Sequence, residues 1–148
     1  MRKLWFSLFL SLNLLMGEYS IGEMFAIGHL ANQHDQNISL QEASKVIVVF
    51  DKPQYYDTNA FIEAHPKLFV KHRIAYINDI SALPSTILKL FVKPSMKKKP
   101  FDILLLQDLK ASQKLNYQED KITLYTLKKR KIINIEYLDT QALERYFK

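Results

Sequence analysis

The residue types able to do chemistry are few in this chain, and the clearest fact about them is a zero. Among 148 residues there is no cysteine. Disulfides, thiolate zinc sites and thiol nucleophiles are therefore excluded. Histidine, the usual general base near neutral pH, occurs at His29, His34, His65 and His72. His29, His34 and Asp35 are close enough in sequence to meet across a hairpin and hold a metal. No two histidines fall one helical turn apart, and His65 is followed by Pro66, so surface histidine without metal is the reading they favour. The 15 carboxylates show no spacing that marks an acid/base pair. The three glycines stand at positions 17, 22 and 28. Nucleotide-binding glycine loops and the Gly-x-Ser-x-Gly elbow need glycine where backbone meets ligand or turns sharply, so they are excluded after Gly28. Neither a catalytic residue nor a cofactor nor a metal is expected.

Charge and aromatic surface remain. The formal net charge is +6, with Arg2 and Lys3 supplying two of the positive charges. Two basic runs stand out, Lys97-Lys98-Lys99 and Lys128-Lys129-Arg130-Lys131. Such runs are ordinarily solvated turns, but they also suit an anionic membrane surface, a polyanionic sugar or an acidic partner. Nucleic acid fits poorly with so modest a charge. Tyr55 and Tyr56 lie at an expected strand-to-helix turn, where tyrosine gives a large contact area at low entropic cost.

The elements that must position these residues can be read from periodicity. Hydrophobic residues are 48% and charged residues 24%, a balance suited to one folded domain. Residues 28–40 read as two short strands around a polar turn. Residues 45–50 (KVIVVF) form a β-branched apolar run, the pattern of a central strand buried on both faces. Pro53 and Asp57 open a helix that Pro66 ends or kinks. Residues 73–78 are a second strand. Ser81 is expected to cap a helix bearing Leu83, Ile87, Leu88 and Phe91 on one apolar face, which should stop near Pro94. Residues 101–107 are a third strand entered through Pro100, and residues 108–120 read as a surface loop. Residues 122–127 and 132–138 form an antiparallel hairpin, and Thr140 caps a last helix. The expected architecture is α/β, a mixed sheet with helices on both faces and an N-terminal hairpin.

Residues 1–17 read as a signal peptide. Arg2 and Lys3 precede an apolar stretch from Leu4 to Met16 that is shorter than the ~18 apolar residues expected of a membrane span. Cleavage is expected near Gly17, although Leu15 stands where a small residue is usual. That leaves residues 18–148 as the domain, in the periplasm or otherwise outside the cytoplasm.

This order of elements resembles the thioredoxin-like superfamily, in particular its exported and peroxiredoxin-related branches. The resemblance rests on Ile21-Gly22-Glu23-Met24-Phe25, on Leu30, Asn32-Gln33 and Ile38-Ser39-Leu40, on Val46 to Phe50, on Asp79-Ile80-Ser81 with Pro84-Ser85, and on Lys99-Pro100-Phe101-Asp102. The resemblance implies a thioredoxin-like three-layer sandwich, with Lys99-Pro100 as a cis-proline before the third core strand. It also implies a Cys-x-x-Cys at the start of the first helix, where Tyr55 and Thr58 keep the spacing and lack the chemistry. A redox-inactive, exported protein- or peptide-binding factor is then expected. Its groove would be lined by Tyr55, Tyr56, Thr58, Lys99 and Pro100, and its partner would be an envelope protein or peptide. The alternatives are a structural subunit dependent on a partner, or an enzyme with non-thiol chemistry on the same scaffold.

Overall fold

The computed structural model describes residues 17–147. The segment read as a signal peptide lies, apart from Gly17, outside the described residues. A short antiparallel hairpin, β1 (His29–Ala31) and β2 (Asn37–Ser39), comes first. A five-stranded sheet follows, ordered β5-β4-β3-β6-β7. Its strands are β3 (Lys45–Val49), β4 (Ile74–Asp79), β5 (Leu104–Leu106), β6 (Ile122–Lys128) and β7 (Lys131–Leu138). Strands β3, β4 and β5 are parallel, whereas β6 is antiparallel to β3 and β7 to β6.

Side chains alternate across this sheet, as the two-residue period of a strand requires. Ile47, Val49, Tyr76, Leu105, Ile122 and Leu124 point to one face. Helix α1 (Lys52–Ala64) and α2 (Pro66–Lys71) cover that face, together with α3 (residues 85–96) and α5 (Leu143–Tyr146). Val46, Val48, Ile77, Leu104, Leu106 and Tyr125 point to the other. There the opening segment, residues 19–40, and the short helix α4 (Leu109–Lys114) complete the core. Each such large apolar side chain contributes about 1.5–3 kcal/mol by leaving water.

Local chemistry sets the ends of the elements. Asp51 caps α1, its carboxylate accepting from Gln54 N at 2.9 Å, and Pro53 sits in the first turn where its missing N–H costs nothing. Pro66 interrupts the helix at His65 and starts α2. The β6–β7 turn places Lys129 and Arg130 at φ 50° and 67°, the mirror-image turn that suits the twist of a hairpin. Arg130 is anchored there, since its Nη2 donates to Phe25 O at 2.9 Å and its carbonyl accepts from Phe25 N at 2.8 Å.

Several expectations are corrected. The helix α3 runs as Ser85–Ile87, a π-helical Leu88–Val92 and Lys93–Met96, straight through Pro94. Pro94 has no N–H for the carbonyl of Leu90, so the helix widens just before it and Lys93 N–H reaches back to Leu88 O. Ser81 does not cap α3. Its N–H and hydroxyl both donate to Asp79, and Pro84 precedes the first turn. The strand at 101–107 is only Leu104–Leu106 long, and the loop at 108–120 contains α4, capped by Asp108. Thr140 follows Asp139 into a 3-10 turn and donates to Asp57 at 2.9 Å.

The expected cis bond at Lys99-Pro100 is also corrected, because no peptide bond among the described residues is cis. Pro100 leads into β5, which pairs with β4 at the sheet edge. The strand beside β3 that approaches the start of α1 is β6, and Asp120-Lys121 lead into it.

Candidate binding groove

The chain leaves β3 at Phe50 and turns into α1 at Asp51, where the resemblance expects a redox site. The first turn of α1 is Lys52-Pro53-Gln54-Tyr55, so Thr58 lies in the second turn. A helix N-terminus acts only over its first turn. The Tyr55–Thr58 pairing therefore sits one turn too far along to stand at the helix start. Gln54 holds the informative place. It is buried, its Oε1 accepts from Phe50 N at 2.9 Å and its Nε2 donates to Lys121 O at 3.0 Å. One amide thus ties the end of β3 to the beginning of β6. A primary amide is neither a nucleophile nor a proton carrier at neutral pH, and it occupies the backbone groups that an incoming strand would need.

The five residues expected to line a groove are separated by the structure. Tyr55 is half-buried, and burial pushes its phenol pKa up. Its ring meets that of Tyr56 at 5.5 Å, and Tyr56 is largely exposed, with Lys52 Nζ 5.9 Å from its ring centre. Thr58 is wholly buried and lines no surface; among the described residues its hydroxyl has no hydrogen-bond partner, and neither do the amide atoms of the adjacent Asn59. Lys99 donates to Glu63 at 2.6 Å, near the C-terminal end of α1, and that hydrogen bond raises its pKa. Pro100 is exposed next to it. Tyr55 and Tyr56 therefore stand at the N-terminal part of α1, while Lys99 is tied to Glu63 further along the helix, still near enough to both tyrosines to interact with them electrostatically.

Tyr55 and Tyr56 do line a groove, with different companions. An open cavity of ≈ 470 Å³ lies between the start of α1, the end of β4 and one side of α3. Phe50, Asp51, Lys52, Tyr55 and Tyr56 form one wall. Asn78, Asp79 and Ile80 form the floor, and Leu83, Ile87, Phe91, Val92 and Met96 form the other wall. The groove opens beyond the C-terminal ends of the parallel strands β3 and β4, the place where open α/β sheets hold ligands. Asp79 is held by Ser81 (2.7 Å) and Ser112 (2.5 Å). The lining is mostly apolar, with Asp51, Lys52, Asn78, Asp79 and Ser95 among its polar groups and no histidine.

The other candidates are placed elsewhere. His29 Nδ1 lies 2.9 Å from Asn37 Oδ1, and Asp35 pairs with Lys93, which holds its carboxyl below the usual range. Among the described residues no three His, Asp or Glu side chains stand where they could share a metal. The run at residues 128–131 borders a separate, more polar hollow with Arg73 and Glu42, at the end of the sheet where β3 begins.

Reading the sequence missed the far wall of the groove. Leu83, Ile87 and Phe91 repeat every four residues, but so do Leu88, Val92 and Met96. The second stripe is the one the core takes, with Leu88 and Met96 buried. A helix carrying two apolar stripes was the available signal for a binding wall.

No protein-family model matches the chain, and no curated protein is similar to it in sequence. Solved structures do resemble it. Peroxidoxin BcpB from Mycobacterium tuberculosis superposes with a TM-score of 0.59 at 15% identity, over 88% of this chain and 94% of that one. StoA from Bacillus subtilis gives 0.54 at 16% identity, over 81% and 95%. An uncharacterized thioredoxin-like protein from Porphyromonas gingivalis gives 0.53 at 12% identity, over 86% and 88%. The fold is thioredoxin-like, a mixed five-stranded sheet with helices plus an extra N-terminal two-stranded hairpin. It is related to peroxiredoxins and thiol-disulfide proteins by structure, and it has no cysteine.

Proposed function

We propose that this chain is a redox-inactive binding protein of the cell envelope whose groove takes an apolar segment of a partner polypeptide. The observation that carries the reading is the groove itself: two tyrosines on α1 face Leu83, Ile87 and Phe91 across ≈ 470 Å³, with no thiol nearby. Recognition in such a site comes from burial of apolar side chains and from tyrosine contact area. Pairing of an extended peptide along the start of β6 is disfavoured because Gln54 holds Lys121 O. The export half of the proposal rests on residues 1–17 of the sequence, and it predicts recovery of the protein outside the cytoplasm on fractionation.

The test is a titration of the isotope-labelled protein with short peptides rich in Leu and Phe, followed by NMR. Shift changes confined to Tyr55, Tyr56, Ile87 and Phe91 are expected. Tyr56→Ala with Phe91→Ala should weaken binding at least roughly tenfold, as for buried aromatic anchors. Peptides that bind elsewhere, or equally well to the double variant, would overturn the reading.

A further inference from the structure

Helix α3 has an exposed apolar side that the groove uses only in part: Ile87 and Phe91 line the groove, whereas Leu90 and Pro94 do not. Leu90 and Phe91 are 68% and 69% exposed, and Ile87 is 39% exposed. These residues and Pro94 share one side of the helix, opposite the buried Leu88, Val92 and Met96 side. A solvated helix normally turns its polar face outward. Here the outward side is apolar, and Leu90 stands on it outside the groove.

Charge along the ridge has one sign. Residues 81–101 include five lysines and no Asp or Glu. Lys93 pairs with Asp35 and Lys99 with Glu63. Among the described residues, Lys89, Lys97 and Lys98 have no carboxylate within ion-pair distance. Lys89, Lys93 and Lys97 follow each other every four residues, forming a stripe along the flank of the apolar ridge. An apolar ridge edged by unpaired lysines is the pattern of a helix that lies in a membrane interface. There long lysine stems reach from the apolar boundary to lipid phosphates. No helix among the described residues is long and apolar enough to cross a membrane, so the contact lies on the surface.

We propose that α3 is an interfacial helix that docks the protein on an anionic lipid surface, with Ile87, Leu90 and Phe91 in the headgroup–acyl boundary and Lys89, Lys97 and Lys98 on lipid phosphates. Charge complementarity selects this occupant over a second copy of the chain, whose matching surface would bring like charges together. The inference shares Ile87 and Phe91 with the groove reading, and its test is therefore placed on Leu90 and the three lysines, which do not line the groove.

The absence of cysteine gives a clean experiment on the full chain. Leu90→Cys is labelled with nitrobenzoxadiazole, and Ile133→Cys on β7 serves as the control. Vesicles containing phosphatidylglycerol should blue-shift and brighten the label at position 90 but not at 133. Phosphatidylcholine vesicles should leave both unchanged, and high salt should reverse the effect. Combining Lys89→Glu, Lys97→Glu and Lys98→Glu should lower vesicle partitioning at least roughly 100-fold. An unchanged label at 90 would overturn the proposal, as would equal shifts at both positions. A shift that grows with protein concentration without vesicles would assign the ridge to self-association, and would also overturn it.

Discussion

On one face of the sheet, Tyr19, Phe25 and Tyr125 stack with ring centres 5.1 to 6.0 Å apart, and the polar groups beneath them satisfy one another. Tyr125 Oη accepts from Asn116 N and donates to Asn116 Oδ1, while Thr123 donates to Asn116 O and the Asn116 amide donates to Tyr19 O. On the other face, α1 buries a hydroxyl and an amide without partners, α3 widens into a π-turn, and a groove lies open between them. The contrast is between a face knit by local hydrogen bonding around Asn116, where Arg130 Nε beside Phe25 is the buried side-chain atom without a partner among the described residues, and a face that leaves a hydroxyl and a whole amide unsatisfied. Binding surfaces come from the second kind, because unfinished contacts are what a partner can complete.

The largest effect should come from breaking the closed face. Tyr125→Ala removes a fully buried ring and orphans Asn116, and it should cost about 3–5 kcal/mol in urea unfolding. If the variant loses less than about 1 kcal/mol, the two faces are not distinct in kind. Alkali is a milder probe. Burial raises the phenol pKa of Tyr125 and Tyr76 in the folded protein. The unfolded chain then releases these protons first, so stability is whole below about pH 10 and falls above it, by about 1.4 kcal/mol per pH unit for each tyrosine. Tyr125→Phe should flatten that slope.

The incomplete face is tested by two smaller changes. Gln54→Ala strands Phe50 N and Lys121 O and should cost about 2 kcal/mol, measured by thermal or urea unfolding. Thr58→Val keeps the shape and removes a buried hydroxyl that has no partner, so it should stabilise by about 1 kcal/mol. A loss of stability there would mean that the hydroxyl is satisfied after all, and the contrast between the faces would weaken.

The central strand at 45–50, the β6–β7 hairpin and the two short strands at 28–40 were readable because apolar period and turn chemistry act locally. The order of strands was harder. Residues 101–107 read as a core strand because Ile103 to Leu106 are uniformly apolar, yet burial on both faces is also met at an edge covered by the N-terminal hairpin, where Asn32 bridges to Leu104. That ambiguity put a cis-proline at Lys99-Pro100 and drew Lys99 and Pro100 into the groove. Helix α4 was hidden because Leu109–Lys114 is polar and less than two turns long, and its cap, Asp108, is one residue among many polar neighbours. Tyr56 was legible as an exposed aromatic near a turn, whereas Tyr55 is half-buried. Thr58 was not legible as buried, because the face that α1 turns to the sheet is set by packing and not by local sequence.

The Gln54 amide has a consequence for engineering. Installing a thiol pair that includes position 54 at the start of α1 would remove the side chain that rivets two strands together before any redox activity appeared. A designer would have to supply a substitute joint at Lys121 first. In that sense the site is guarded: the step that replaces Gln54 lowers stability without yet conferring a function.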